Sequence, residues 1–253
     1  MTLASCKPEP TMSDVEWQTR CDLAAVYRIA HYLGWTDLIN THMSARLPDE
    51  PDTFLINYHG QTFDEITASS LVKMDMEGNV IGPAGRYNDA GFTIHSGCYK
   101  ARPDAMCVLH THTRAGAGIS MIKDAIRPIS QDALHVLDDI AYHPYGVPAS
   151  KEEGEELGHS VAHHNCIILE NHGLLTVTPS IHNGVYLHYR LERACDMEMV
   201  SRMMGEPPVF VDDAVVKKAA VYMRKFRDDP DYGRAEFDAL VRVIDRQGAN
   251  YRC

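Results

Sequence analysis

Ala105-Met106-Cys107-Val108-Leu109-His110-Thr111-His112-Thr113 is a short apolar run that ends in two histidines one residue apart. It follows Arg102-Pro103-Asp104, where the proline closes a preceding helix, and its Cys-Val-Leu centre reads as a strand. Successive side chains of a strand point to opposite faces. His110 and His112 therefore project to one side, about 6–7 Å apart at their backbones, and can converge on one metal ion. Two histidines at a strand end also read as ordinary polar residues meeting solvent, and two imidazoles do not fill a coordination sphere. A third stands further on, in Cys166-Ile167-Ile168-Leu169-Glu170-Asn171-His172-Gly173. This is a second apolar run ending in histidine, with a glycine that permits a turn or a close backbone approach. If the two strands are neighbours in one sheet, His110, His112 and His172 share an edge. Three protein ligands with one position open is the arrangement of a catalytic metal, because structural zinc sites close with four.

Composition narrows the setting. The 253 residues suffice for one large domain or two small ones, and 45% hydrophobic with 23% charged residues is the balance of a globular chain. Arg and Lys number 24 against 35 Asp and Glu, a net charge of −11 with no basic run, which argues against a nucleic-acid partner. No apolar stretch reaches the ~20 residues needed to cross a bilayer, and the first residues lack the basic-then-apolar pattern of a secretory signal. No membrane partner is expected. Seven cysteines, an odd number with no Cys-x-x-Cys pair, point to a reduced, cytoplasmic setting.

Residues 1–12 read as a flexible tail. Ser13 and Glu16 have capping-box spacing, and Trp17, Cys21, Ala24, Ala25, Ile29 and Leu33 follow the helical period to Gly34. Thr53–Asn57 reads as a strand, and Ser70–Asp75 with Asn79–Ile81 as a hairpin across Glu77-Gly78. Ala90–Ala101 is expected to be a helix capped by Asn88 or Asp89, and Gly116–Ser120 a short one. Residues 140–150 read as loop, Lys151–His164 as an exposed helix, and Asn183–Met204 as a long helix ended by Gly205. Helices near 212–227 and 234–247 close the chain. No linker-like composition shift divides it, so one α/β domain over residues 13–253 is the simplest organisation.

Three segments together resemble the class II aldolase/adducin family. They are Ile66-Thr67-Ala68-Ser69-Ser70-Leu71-Val72-Lys73, the His95…Arg102-Pro103-Asp104…His110-Thr111-His112 block, and Asn171-His172-Gly173, and the likeness spans roughly residues 15–225. The resemblance implies a three-layer α/β/α domain with a central, mostly antiparallel sheet, usually assembled as a homotetramer with active sites near subunit interfaces. By motif it makes His110, His112 and His172 the ligands of a divalent metal, zinc first, with manganese or iron as alternatives.

The departures from the family pattern bear on the substrate. Family aldolases for sugar phosphates carry a proton-moving glutamate four residues before the histidine that is His95 here, and that position is Gly91. Their phosphate contacts, an Asn in a Gly-Asn-x-Ser loop and a Ser-Ser pair, are replaced by Thr41-His42-Met43-Ser44 and Asp89-Ala90. An anionic Asp89 repels phosphate. The reading is a metal-dependent carbon–carbon lyase, decarboxylase or aldolase in type, that works through a metal-stabilised enolate of a small non-phosphorylated oxo- or hydroxy-acid. The replacement for the glutamate is open between Asp89, which reads equally as a helix N-cap, and Glu170, which reads equally as a surface residue. Tyr142 and His143 are candidate proton donors from a loop. His42, Gly60 and Arg114 are candidate substrate contacts, and His95 is placed behind the site to orient a ligand. The rivals are a non-enzymatic adducin-like binding protein, a metal-dependent oxygenase, and a dehydratase or epimerase.

Overall fold

A computed structural model describes residues 12–253 apart from Ala84, Pro148, Asp228 and Ala249. Eight helices are described: α1 (Asp14–Leu33), α2 (Asp89–Ala101), α3 (Arg114–Ser120), α4 (Gln131–Val136), α5 (Lys151–Val161), α6 (Ile181–Met204), α7 (Asp213–Arg227) and α8 (Arg234–Arg246). Seven strands are described with them: β1 (Met43–Leu47), β2 (Glu50–Ile56), β3 (Val72–Asp75), β4 (Cys107–Thr111), β5 (Ile140–His143), β6 (Cys166–Leu169) and β7 (Gly173–Thr178). They form one sheet in the order β3-β2-β1-β4-β7-β6-β5, antiparallel at every pair except β5 with β6.

Local chemistry sets the ends of α1. Ser13 Oγ accepts the Glu16 N–H at 2.9 Å, and Gly34 ends the helix at a φ of 75°, its N–H directed to the carbonyls of Ala30 and His31. Strand alternation then divides the core. Met43, Ala45 and Leu47 of β1, with Cys107 and Leu109 of β4, face α1 and α8. Val108 faces the other way, toward Ile94, Cys98 and Tyr99 of α2 and Leu157 and Val161 of α5. A third cluster joins Ile168 and Leu174 to α3, α4 and α6. The sheet is thus covered on both faces, the expected α/β/α layering, and β4 at its centre sends His110 toward α2 and Thr111 toward α6.

Several sequence expectations change. Residues 140–150 are not all loop: Ile140–His143 pairs in parallel with Cys166–Leu169, an edge strand too short for alternation to show beside Pro144. The two histidine-ending strands are not neighbours. β7 turns back antiparallel and lies between β4 and β6, so His172 sits in the β6–β7 turn rather than on an adjacent strand. The 70–81 hairpin is present in short form, with an antiparallel Met74–Val80 bridge flanked by hydrogen bonds from the Asp75 N–H to the Asn79 carbonyl and from the Ile81 N–H to the Lys73 carbonyl, while Ser70 belongs to a 3-10 turn, Ala68–Ser70. The helix from Lys151 ends at Val161 and buries Glu153, Leu157 and Val161 against the sheet. The expected tail lies outside the described residues except for Met12, which packs against the α1 core.

Candidate metal centre

The β4–β7 register sets Thr111 opposite Leu174, which brings the β6–β7 turn to the end of β4. Asn171 adopts a φ of 57° there, and Gly173 passes so close to the Thr111 carbonyl that a Cβ would collide with it and come within 3.0 Å of His112 Cδ2. His110, His112 and His172 meet as a result, with ligating atoms all within 4.8 Å of one another. Each outer nitrogen of the first two is committed away from the centre. His110 Nδ1 donates to the Leu174 carbonyl at 2.9 Å, and His112 Nδ1 to Asp37 Oδ2 at 3.0 Å. Their Nε2 atoms face each other at 2.9 Å. Two lone pairs aimed together repel unless a cation or a proton lies between them.

This donor set fits a divalent ion. Neutral imidazoles ligate through the free nitrogen while the other is hydrogen-bonded, and three leave a position open. Burial, and then the surrounding imidazoles, hold His110 well below the usual histidine range. Burial and His112 push His172 down to about 4. Both are in the form that binds metal near neutral pH.

Asp37 was not singled out from the sequence. It lies in the loop after α1, and only the fold brings it to His112. On the opposite face of β4, Glu192 accepts the Thr111 and Thr113 hydroxyls at 2.7 and 2.6 Å, with His188 Nε2 at 2.9 Å from the Thr111 hydroxyl. That network anchors the strand end that carries the two histidines. Tyr145 approaches His172 with ring centroids 6.2 Å apart.

His42, just before β1, lies against His110 with ring centroids 5.0 Å apart. A Cβ at Gly91 would come within 2.8 Å of His42 Cδ2, so the imidazole occupies the space that a side chain at 91 would need. His42 Nδ1 is 2.9 Å from His95 Nε2. His95 therefore meets His42 rather than one of the three clustered imidazoles, which differs from its expected placement.

The other candidates are spread around this centre. Asp89 is exposed at the first position of α2, whose cap is Asn88, accepting from the Ala90 and Gly91 N–H groups. Glu170 is half-buried at the start of the turn that holds His172, its N–H bonded to the His143 carbonyl. Tyr142 uses its hydroxyl to accept the Ile126 N–H at 3.1 Å. His143 is buried in β5 with Ser160 Oγ at 2.9 Å and Glu153 Oε1 at 3.3 Å. Gly60 is exposed at a φ of 106° with open space around its Cα hydrogens. Arg114 is exposed at the start of α3, in a groove shared with Glu192, Arg193 and Asp196.

The profile of the family described as class II aldolase and adducin N-terminal domain matches residues 21–199. The chain belongs to this family. A Pseudomonas aeruginosa protein provisionally named a class 2 aldolase is 41% identical over 95% of this chain and 94% of its own. Alpha-adducin of Mus musculus is 37% identical over 90% of this chain, which spans only 33% of that protein. Among solved structures, an aldolase II superfamily protein from Pseudomonas syringae superposes with a TM-score of 0.90 at 39% identity, covering 96% of this chain and 98% of that one. L-fuculose 1-phosphate aldolase from Glaciozyma antarctica PI12 superposes with a TM-score of 0.83 at 27% identity, over 97% of both chains. Class II aldolases are generally divalent-metal dependent, which agrees with the three-imidazole cluster. Their fold is commonly oligomeric and takes small-molecule substrates. No helix among the described residues is long and apolar enough to cross a membrane.

Proposed function

We propose that the protein is a metal-dependent carbon–carbon lyase, of decarboxylase or aldolase type, acting on a small non-phosphorylated oxo- or hydroxy-acid. The observation that carries this reading is the convergence of the His110 and His112 Nε2 atoms, with His172 beside them and the outer nitrogens tied to Leu174 and Asp37. These three histidines would hold the ion, zinc first and manganese or iron as alternatives. When bound, it supplies Lewis-acid stabilisation of negative charge developing on a substrate oxygen.

The chain's own residues shape the rest. Gly91 offers no carboxylate, and His42 fills the space beside it, so a base that takes a hydroxyl proton is missing from that position. Decarboxylation has less need of one: the bond to the departing carboxylate breaks, carbon dioxide leaves, and the electron pair stays on the remaining fragment until a proton quenches it. Glu170, in the same turn as His172, is our first candidate for delivering that proton, with Asp89, Tyr142 and His143 as the others. Asp89 at the start of α2 adds a negative charge that disfavours a phosphate nearby. His42, Gly60 and Arg114 are the assigned substrate contacts. A homotetramer is the proposed assembly, and the five buried cysteines without a disulfide among the described residues, Cys21, Cys98, Cys107, Cys166 and Cys195, fit a reducing, cytoplasmic location.

Metal analysis of the purified protein and of His112→Ala comes first, followed by oxo- and hydroxy-acids tested for release of carbon dioxide or aldehyde. About one ion per chain, lost in the variant, with turnover of an unphosphorylated acid, is the expected result. Cleavage of sugar phosphates alone, as the name of the Glaciozyma neighbour suggests for that protein, overturns the substrate class. A wild-type chain that takes up no metal favours the second reading, an adducin-like binding head, which rests on the similarity to alpha-adducin.

A further inference from the structure

We propose that His42 is a fixed hydrogen-bond donor to the substrate, its proton held on Nε2 by a buried chain of groups that begins at Tyr99. The proposal rests on the site being a substrate site, as above, but the direction of the chain follows from hydrogen-bond accounting alone. Four side chains are linked in series: Tyr99 Oη lies 2.7 Å from Ser44 Oγ, Ser44 Oγ is bonded to His95 Nδ1, and His95 Nε2 lies 2.9 Å from His42 Nδ1. All four are buried, with 2% exposure or less, so each proton must find its acceptor inside the chain.

Only one arrangement gives every proton a partner. The Tyr99 hydroxyl has Ser44 Oγ as its one hydrogen-bond partner among the described residues. Arg46 stacks over the phenol ring at 4.8 Å and supplies no acceptor. Tyr99 must then donate to Ser44. Ser44 has His95 Nδ1 left as the acceptor for its own proton. His95, accepting at Nδ1, carries its proton on Nε2 and donates to His42 Nδ1. His42 accepts there, so its remaining proton is on Nε2. The reverse direction strands the Tyr99 proton in the interior, and a chain in which both Tyr99 and His95 donate to Ser44 strands the serine proton. Either leaves a buried donor unmade.

His42 Nε2 has no protein partner among the described residues. Its ring rests against His110 and stands where a side chain at Gly91 would project. The chain thus presents an N–H, with no lone pair, beside the three clustered imidazoles. Its complement is an acceptor oxygen on the same small molecule whose other oxygens approach the cluster: a carboxylate or carbonyl of an oxo- or hydroxy-acid. His42 is the contact residue; His95, Ser44 and Tyr99 are positioning residues that fix its tautomer.

The test uses the full chain, labelled with 15N-histidine and free of metal, with ring tautomers read by long-range proton–nitrogen correlation and assigned through His42→Asn and His95→Asn. The expected result is Nε2–H at both His42 and His95. An Nδ1–H tautomer at His42, or a rapid mixture of the two, overturns the chain. Oxalate binding to zinc-loaded protein tests the contact. His42→Phe should weaken it about tenfold with zinc content unchanged, the size of one good hydrogen bond, while His42→Gln, whose amide reaches the Nε2 position, should retain most of it. Equal oxalate affinity in wild type and His42→Phe removes the contact role. A wild type that takes up no zinc counts against the metal reading instead, and the tautomer still decides the chain.

Discussion

Replacing Asp37 by alanine separates metal orientation from folding, because its carboxylate touches one ring of the centre from outside. Asp37 Oδ2 lies 3.0 Å from His112 Nδ1, and its only other side-chain hydrogen bond among the described residues is a long one of 3.5 Å from Asn40. The carboxylate fixes the His112 proton on Nδ1 and aims Nε2 at the centre. Outer partners of this kind are worth about 10- to 100-fold in metal affinity, or roughly 1.4–2.7 kcal/mol. The Asp37 side chain is 38% exposed and that of His112 21%, so water can take over as acceptor, and the lower half of that range applies. Asp37→Ala should therefore bind zinc about 10- to 30-fold more weakly in competition with a chromophoric chelator. Asp37→Asn, which keeps an acceptor but not the charge, should fall between the two. The metal-free variant should unfold within about 1 kcal/mol of wild type, since a partly exposed pair contributes little to stability. Zinc affinity unchanged within twofold in Asp37→Ala would refute the orienting role. A large loss of stability in the metal-free variant would show instead that Asp37 holds the loop.

Gly173→Ala should destabilise the protein by about 1–3 kcal/mol in urea unfolding and lower its zinc content, because the new methyl meets the Thr111 carbonyl and His112; an unchanged midpoint counts against that packing. Gly91→Ala should cost a similar amount by displacing His42, and the double variant Gly91→Ala/His42→Ala should be less destabilised than the sum of the singles. Additive losses would mean that the two positions do not share a space. For pH, Glu16 is the group to follow. Burial pushes its carboxyl up, but hydrogen bonds from Lys73 at 2.9 Å and Arg20 at 2.8 Å outweigh that and hold it below the usual carboxylate range. A lowered folded-state value means that its contribution is fully present above the unfolded carboxyl value of about 4.3 and lost as pH falls through the folded one. Glu16→Gln should be less stable than wild type at pH 7, and the difference should shrink as the pH falls below 4.3 toward the folded value.

The strand bearing His110 and His112 was legible because alternation is local: two residues apart on an extended chain means one face, whatever the sheet around it. The glycine after His172 was legible for a similar reason. What the spacing did not contain was how the two segments meet. β7 lies between them, and that order depends on a hairpin turn and a register that no short window encodes. Asp37 is 75 residues from His112 in sequence, and an acidic residue in a loop is otherwise unremarked. Only against the pattern of the resembled family does Gly91 read as a missing side chain and His42 as a substitution in a polar loop. That each fits the other is a fact of the tertiary structure. β5 is not legible in the sequence because four residues beside a proline carry the local signature of a turn, and its pairing is supplied from β6.

The choice between an enzyme and a binding head turns on what the centre costs. A head that recognises a partner by its surface has no use for three imidazoles gathered at the end of β4, one of them buried to 1% exposure. With the Nδ1 protons of His110 and His112 directed outward to Leu174 and Asp37, no proton is left to lie between nitrogens 2.9 Å apart. The arrangement is unfavourable for the empty chain and becomes favourable when a cation sits at that point. Stability spent in this way is what a ligand-binding site spends. The opposite face of β4 is built in the contrary manner: Thr111, Thr113 and His188 all reach Glu192 and leave no lone pair opposed. One strand thus has a satisfied side, which holds it in place, and a side whose opposed imidazole nitrogens fit a cation. With no carboxylate at Gly91 and the His42 ring in its space, the lyase proposed above is better suited to a substrate that brings its own leaving group than to one that must first lose a proton.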